Sequence, residues 1–391
     1  MPNPAQITDA DRRARLATRQ LLSPGARMPT PETAADALVA LHATDPATVF
    51  LALATRLTAP SIAAVEQSLY GEKPALVRLL AMRRTMFVVG RELAAVVDSA
   101  AARAIAAKER KGLLAHLADG GGWDAAWLAR TEAEVLAALG DGGPMTGARL
   151  GAVVPALRER VTVAVGKPYE TTQNVASRVL RVLAAENRIR RDRPSGSWTS
   201  SQFRWVPGRP LPELPAAGAR ADLARAWLAV YGPGTEADLK WWTGWTLGDV
   251  RKALVAVGAE PVRLDDGQTG HVLPGDTGPE PAPEPWAALL PALDPTPMGY
   301  QQRDWYLPPA HVGELFDRTG NIGPTVWWDG RIVGGWAQRP DGELVWQLLD
   351  KVPRTGLAEI GAEAARLTAF IGDARVTPRF RTPLERRLVA G

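Results

Sequence analysis

The stretch TTQNVASRVLRVLAAENRIRRDRPSGSWTSSQFRWV, residues 171–206, decides how the chain is read. Val175, Val179, Val182 and Leu183 recur at helical spacing, and Thr171 or Thr172 stands where an N-cap belongs. Residues 189–191 and 203–206 then flank a polar Pro-Ser-Gly tip, the pattern of a two-stranded hairpin. A helix followed at once by a hairpin is how a winged helix-turn-helix ends, and the helix of such a unit fits a DNA major groove. Arg188, Arg190, Arg191 and Arg193 place four guanidinium groups near the wing, where phosphates could be met. Gln173, Asn174 and Arg178 fall on the helix, where phosphate contacts are expected rather than base reading.

Charge supports the same reading. Residues 149–209 hold twelve Lys or Arg against four Asp or Glu, while the whole chain of 391 residues carries a net charge of only +4. A hydrophobic content of 46% is ample for buried cores, and the length suggests several domains. With no cysteine, the chain has no disulfides, thiolate chemistry, iron–sulfur clusters or Cys-based zinc sites. The four histidines lack ligand spacing such as HExxH, so no metal site is expected. Gly120-Gly121-Gly122 lacks the P-loop pattern, so no nucleotide and no other cofactor is expected. The opening residues MPNPAQITDADRRARL have charges where a signal peptide needs an apolar run, and no stretch of about 18 apolar residues occurs. These features lead us to expect a cytoplasmic, nucleoid-associated protein that does not enter membranes.

Moving outward, the theme repeats. Residues 127–139 form an amphipathic helix stopped by Asp141-Gly142-Gly143-Pro144, and residues 146–157 supply the next helix before the helix and wing. In a third unit, residues 221–231 are helical, and Thr235 and Thr246 cap two further helices. Residues 261–264 and 271–273 make its short wing around Asp265-Asp266-Gly267. A first, less regular unit has helices over 11–22, 33–42 and 47–57 and a strand pair over 78–89. Past a proline-rich linker at 279–285, residues 325–337 alternate around Asp329-Gly330 as a hairpin, followed by a strand at 343–349 and a helix at 356–370. The expected fold class is therefore α+β. Three tandem winged-helix units (1–118, 119–212 and 213–280) precede a small α+β domain at 281–391. Trp241, Trp242 and Trp245 read as packing between helices rather than base-stacking platforms.

Four runs then carry a family resemblance. LVALHATDPATVFLALATRL (38–57), TEADLKWWTG (235–244), LLPALDPTPMGYQQRD (289–304) and DRTGNIGPTVWWDGRIVGGWA (317–337) resemble, in order, the AlkZ/YcaQ-type DNA glycosylases. That resemblance implies a C-shaped array of tandem winged helices. It also implies excision of bulky or N-alkylated purines from double-stranded DNA, including crosslinks left by genotoxic natural products, in base excision repair or antibiotic self-resistance. The family's catalytic motif is Gln-x-Gln or Gln-x-Asp at the end of the second helix of the first unit. Here His42 and Thr44 stand at those two positions, and Asp45 follows.

Alkylation at N7 or N3 makes a purine cationic and a good leaving group, so the protein need only hold a water against C1′ and stabilise the oxocarbenium ion. A neutral His42 could serve as general base, with Thr44 orienting the water and Asp45 orienting His42 or facing the sugar. Thr44 and Asp45, just before Pro46, could equally cap the next helix. Arg83 and Arg84 in the strand pair, and Arg56, could line the same channel or a solvated surface. Asp294 and Arg303 read as a buried ion pair, although either could point into the channel. Lys73 is the only lysine in the first hundred residues and has no motif around it, so a monofunctional enzyme is expected over a lyase. Three units in one chain suit a monomer. The competing reading is a non-catalytic winged-helix DNA-binding protein, a regulator or lesion-recognition relative, favoured by the missing glutamines. A third reading, chemistry on another substrate in the C-terminal domain, has no motif behind it.

Overall fold

A computed structural model describes residues 4–390. The first unit begins with helix Asp9–Arg19, held by a Thr8–Asp11 capping box, and continues with helices Pro31–Ala37, Pro46–Arg56 and Ile62–Tyr70. Its strands Leu76–Ala81 and Thr85–Gly90 form the hairpin read from the sequence. One helix is shorter than expected. It stops at Ala37, Val39 turns the backbone through a positive φ of 66°, and Leu41–His42 joins the sheet opposite Val88 and Phe87. His42 therefore sits on a strand and not at a helix end.

From Arg91 the chain runs as a helix through a π-turn at Asp98–Ala102 to Gly121. The expected boundary at 118 falls inside this helix, whose Leu113 and Leu117 pack in the core of the second unit. The π-turn is braced on several sides. Asp98 accepts from Asn187 Nδ2 and Arg103 Nε, the indole of Trp245 donates to Ala100 O, and Leu214 N–H donates to Ser99 Oγ.

The second unit follows the expected order, with helices Ala125–Gly142, Gly147–Val153 and Val175–Ala185 and the hairpin Ile189–Pro194/Phe203–Pro207. Thr171 and Thr172 do not cap its third helix. They lie in strand Thr171–Asn174, paired with Arg160–Val163, and Asn174 provides the cap by accepting from Ala176 N. The third unit matches the reading: helices Ala216–Tyr231, Glu236–Thr243 and Leu247–Ala256 precede a hairpin Glu260–Leu264/Thr269–Val272, which Gln6–Ile7 extends in parallel. Strands Ala287–Leu290, Thr325–Trp328, Arg331–Gln338 and Leu344–Leu348 make a four-stranded antiparallel sheet in the last region, with helices Arg354–Ile371 and Pro383–Ala390. Its Asp329-Gly330 turn has positive φ at both residues (45° and 78°), as a tight hairpin turn demands.

The cores do not respect the expected boundaries. One joins Phe87, Trp227, Trp242, Tyr300 and Trp327, and so unites the first unit, the third unit and the C-terminal region. A second joins Phe50, Trp198, Trp336 and Ile360. Among the described residues, the second unit keeps a sizeable core of its own, between Leu113 and Trp205, and Ile7 forms a small cluster with Val262, Leu264 and Val272. Trp242 and Trp245 are buried, in keeping with a packing role, whereas Trp241 is half-buried. No helix among the described residues is long and apolar enough to cross a membrane.

Candidate nucleic-acid interface and hydrolytic pocket

The hairpin of the first unit faces helix Val175–Ala185 and the wing of the second across a cleft of about 620 Å³. Arg78, Arg83 and Arg84 line one wall, and Arg181, Arg190 and Arg191 line the other. Arg83 and Arg84, at the hairpin tip, both have positive φ (53° and 61°). Non-glycine residues pay roughly 1–3 kcal/mol for such a conformation, and it recurs where a side chain must be aimed. Arg84 pairs with Glu109. Arg83 lies 4.0 Å over the ring of Trp241, and burial together with Arg303 lowers its pKa to about 10, so it stays charged.

Through Thr44, Arg83 and Thr85 the cleft adjoins a pocket of about 250 Å³ whose walls include His42, Asp45, Asp317, Asn321, Arg379 and Phe380. His42 is 3% exposed, with its ring 4.4 Å from Phe87. Its Nε2 lies 3.3 Å from Arg83 Nη2, which can only donate. Burial, then the charge of Arg83, pushes the imidazole pKa down to about 3. The ring is neutral at any ordinary pH and is a poor proton acceptor. Thr44 is exposed. Asp45 caps helix Pro46–Arg56 by accepting from Ala47 N at 3.0 Å; burial raises its pKa against the opposing effect of the Ala47 and Arg379 backbone N–H groups and the Arg379 charge. At Asp317 burial works upward, but hydrogen bonds from Asn321 and Thr319 outweigh it and hold the carboxyl below its usual range. The pocket thus combines a neutral imidazole, two hydroxyls and two carboxylates. Its lining includes no amine among the described residues.

Several expected DNA contacts lie elsewhere. Arg56 is fully buried: it donates to Gln20 O and Ala52 O, forms a two-pronged pair with Asp294 at 2.8 Å and reaches Thr296 Oγ1. Asp294 is indeed in a buried ion pair, but with Arg56. Arg303 donates instead to Pro297 O and stacks on Trp241 and Phe316. Arg188 is held by Glu132 and Glu186, and Arg193 by Glu66. Asn174 is occupied as a helix cap. Gln173 accepts from Arg178 Nε, and Arg178 also donates to His116 Nδ1 at 2.7 Å, so those two form a network beside the cleft rather than in its lining. Arg190 and Arg191, with Arg83 and Arg84, are the expected residues that the fold brings together. Sequence reasoning missed Arg181, which lies one turn beyond Arg178, and it missed Asp317 and Arg379, which only the fold brings near His42.

A basic cleft leading into a pocket of this composition suits a protein that grips a polyanion and acts on it. Comparison with known proteins gives the family. The model of the AlkZ-like DNA glycosylases matches residues 35–370, and the chain belongs to that family. Among solved structures, the DNA glycosylase AlkZ of Streptomyces sahachiroi superposes with a TM-score of 0.70, covering 96% of this chain and 99% of that one at 20% identity, so the two share a fold. Comparison with curated proteins gave no match.

Proposed function

We propose that the protein is a monofunctional DNA glycosylase that hydrolyses the N-glycosidic bond of N7- or N3-alkylated purines in duplex DNA. The observation that carries this reading is the continuity of the arginine-walled cleft with the His42–Asp45–Asp317 pocket. A phosphate backbone in the cleft would bring a nucleotide's C1′ to the pocket mouth. The alkylated base already carries the positive charge and leaves as a neutral purine. Water adds to C1′ and gives up one proton, which Asp45 is suited to accept because burial raises its basicity. Asp317, firmly ionised, faces the developing oxocarbenium charge. His42 holds Arg83 and orients the water but does not take its proton, which amends the expectation of a histidine base.

The test is release of base from a duplex bearing one N7-alkylguanine. Asn caps helices about as well as Asp, so Asp45→Asn removes charge while sparing the fold. Its rate should fall roughly 100-fold or more with DNA affinity kept. An unchanged rate would dismiss Asp45 as the base. The non-catalytic reading gains from the weak basicity of His42; it would prevail if native protein bound duplex DNA yet released no base from small or bulky N7 and N3 adducts.

A further inference from the structure

Four guanidinium groups converge beside the pocket, with the Asp45 carboxylate near Arg379. Arg78 comes from strand Leu76–Ala81, Arg181 from helix Val175–Ala185, Arg191 from strand Ile189–Pro194, and Arg379 from the loop ahead of the last helix. The first three line the cleft and the fourth lines the His42 pocket. The neighbouring acids are already committed: Glu109 to Arg84, Glu132 and Glu186 to Arg188, Glu66 to Arg193. None of the four arginines forms an ion pair among the described residues. Arg191 is flattened against Phe203 at 4.2 Å, and Arg78 keeps only the hydroxyl of Tyr70 while its Nε is buried without a partner. Burial, then the charges of Arg78, Arg181 and Arg379, lowers the Arg191 pKa to about 10, so the other three act on Arg191.

Such a cluster repels itself and destabilises the free protein. An incoming anion reverses the sign of that energy, and a phosphodiester matches it well: one charge and two free oxygens for the planar forks of several arginines. Arg379 also ties the cluster to the pocket, since it lines that pocket and its charge favours the Asp45 carboxylate.

We propose that Arg78, Arg181, Arg191 and Arg379 form a clamp for a single DNA phosphodiester, the one adjoining the nucleotide presented to the His42 pocket. The identity of that nucleotide rests on the glycosylase reading; the clamp itself does not require chemistry. It sets the register of the strand, and it assigns the wing a task other than groove reading, which is to deliver Arg191.

The test uses duplexes with one N7-alkylguanine and a neutral methylphosphonate placed in turn at each phosphate near the lesion. Binding of the native protein should drop roughly tenfold at one position and far less at the others. Arg191→Gln and Arg181→Gln should each lose about as much on the unmodified duplex and little more on that methylphosphonate duplex. Each should also lower the salt slope of binding by about one. Their melting temperatures should hold or rise, because repulsion is relieved; a purely structural arginine would show a fall. Native-like binding by both variants overturns the clamp, and so does an equal loss at every methylphosphonate position. Position-selective binding without base release would overturn the glycosylase reading and leave the clamp standing.

Discussion

His42 shows how burial changes what a residue type can do. A free imidazole titrates near neutrality and suits proton transfer; this one, sealed against Phe87 and facing Arg83, titrates near 3. Between about pH 6.5 and about pH 3 the unfolded chain carries a proton at His42 that the folded chain does not. The unfolded state therefore binds more protons in that window, and stability must fall as pH falls through it. We expect urea unfolding at pH 7.5 and pH 4.5 to show a smaller acid loss for His42→Gln than for the native protein. Equal losses would mean that the ring is protonated in the fold. The position of His42 was legible in the sequence, because the run around it lies where the family motif lies. Its strand, its partner and its weak basicity were not, since all three come from Phe87 and Arg83, more than forty residues away.

At the level of elements, the wing of the second unit is the most informative departure. Its strands and its basic character could be read from residue order, and the polar Pro-Ser-Gly tip gave no sign of burial. The tip instead carries Trp198 into the protein, 5.2 Å from Phe50 and 5.8 Å from Phe370 by ring centroids, with only 5% exposure. A single tryptophan among polar neighbours has no periodicity to betray burial, so local pattern could not find this seat. Trp198→Ala should cost about 3–5 kcal/mol in denaturant unfolding and speed amide exchange at residues 195–202. A loss below about 1 kcal/mol would show that the tip is not anchored. Caps were more legible: Thr235 and Thr246 hold their helices as expected, whereas strand pairing took Thr171 and Thr172 for another use.

Across the whole molecule, the order of helices and hairpins was legible because it repeats a local pattern. Their interdependence was not, because it rests on side chains distant in sequence. The Arg56–Asp294 pair is the clearest case, joining the first unit to the C-terminal region in the interior. Removing one partner strands a buried charge, so Asp294→Ala should cost about 3–5 kcal/mol. The double change Arg56→Met with Asp294→Ala should recover part of that loss, as measured by equilibrium unfolding. Additive losses would mean that the pair does not behave as a unit.

The long helix with its braced π-turn has a mechanical consequence. Running without a break from Arg91 to Gly121, it spans about 45 Å at the helical rise and links the first unit to the second. Asn187, Trp245 and Leu214 steady it at mid-length. A strut of this kind holds the two walls of the arginine-lined cleft at a set distance, so a duplex gripped between them would have to take up any misfit. The stiffness of the duplex would then enter its binding energy, because a step whose stacking has been weakened bends at lower cost than an intact one.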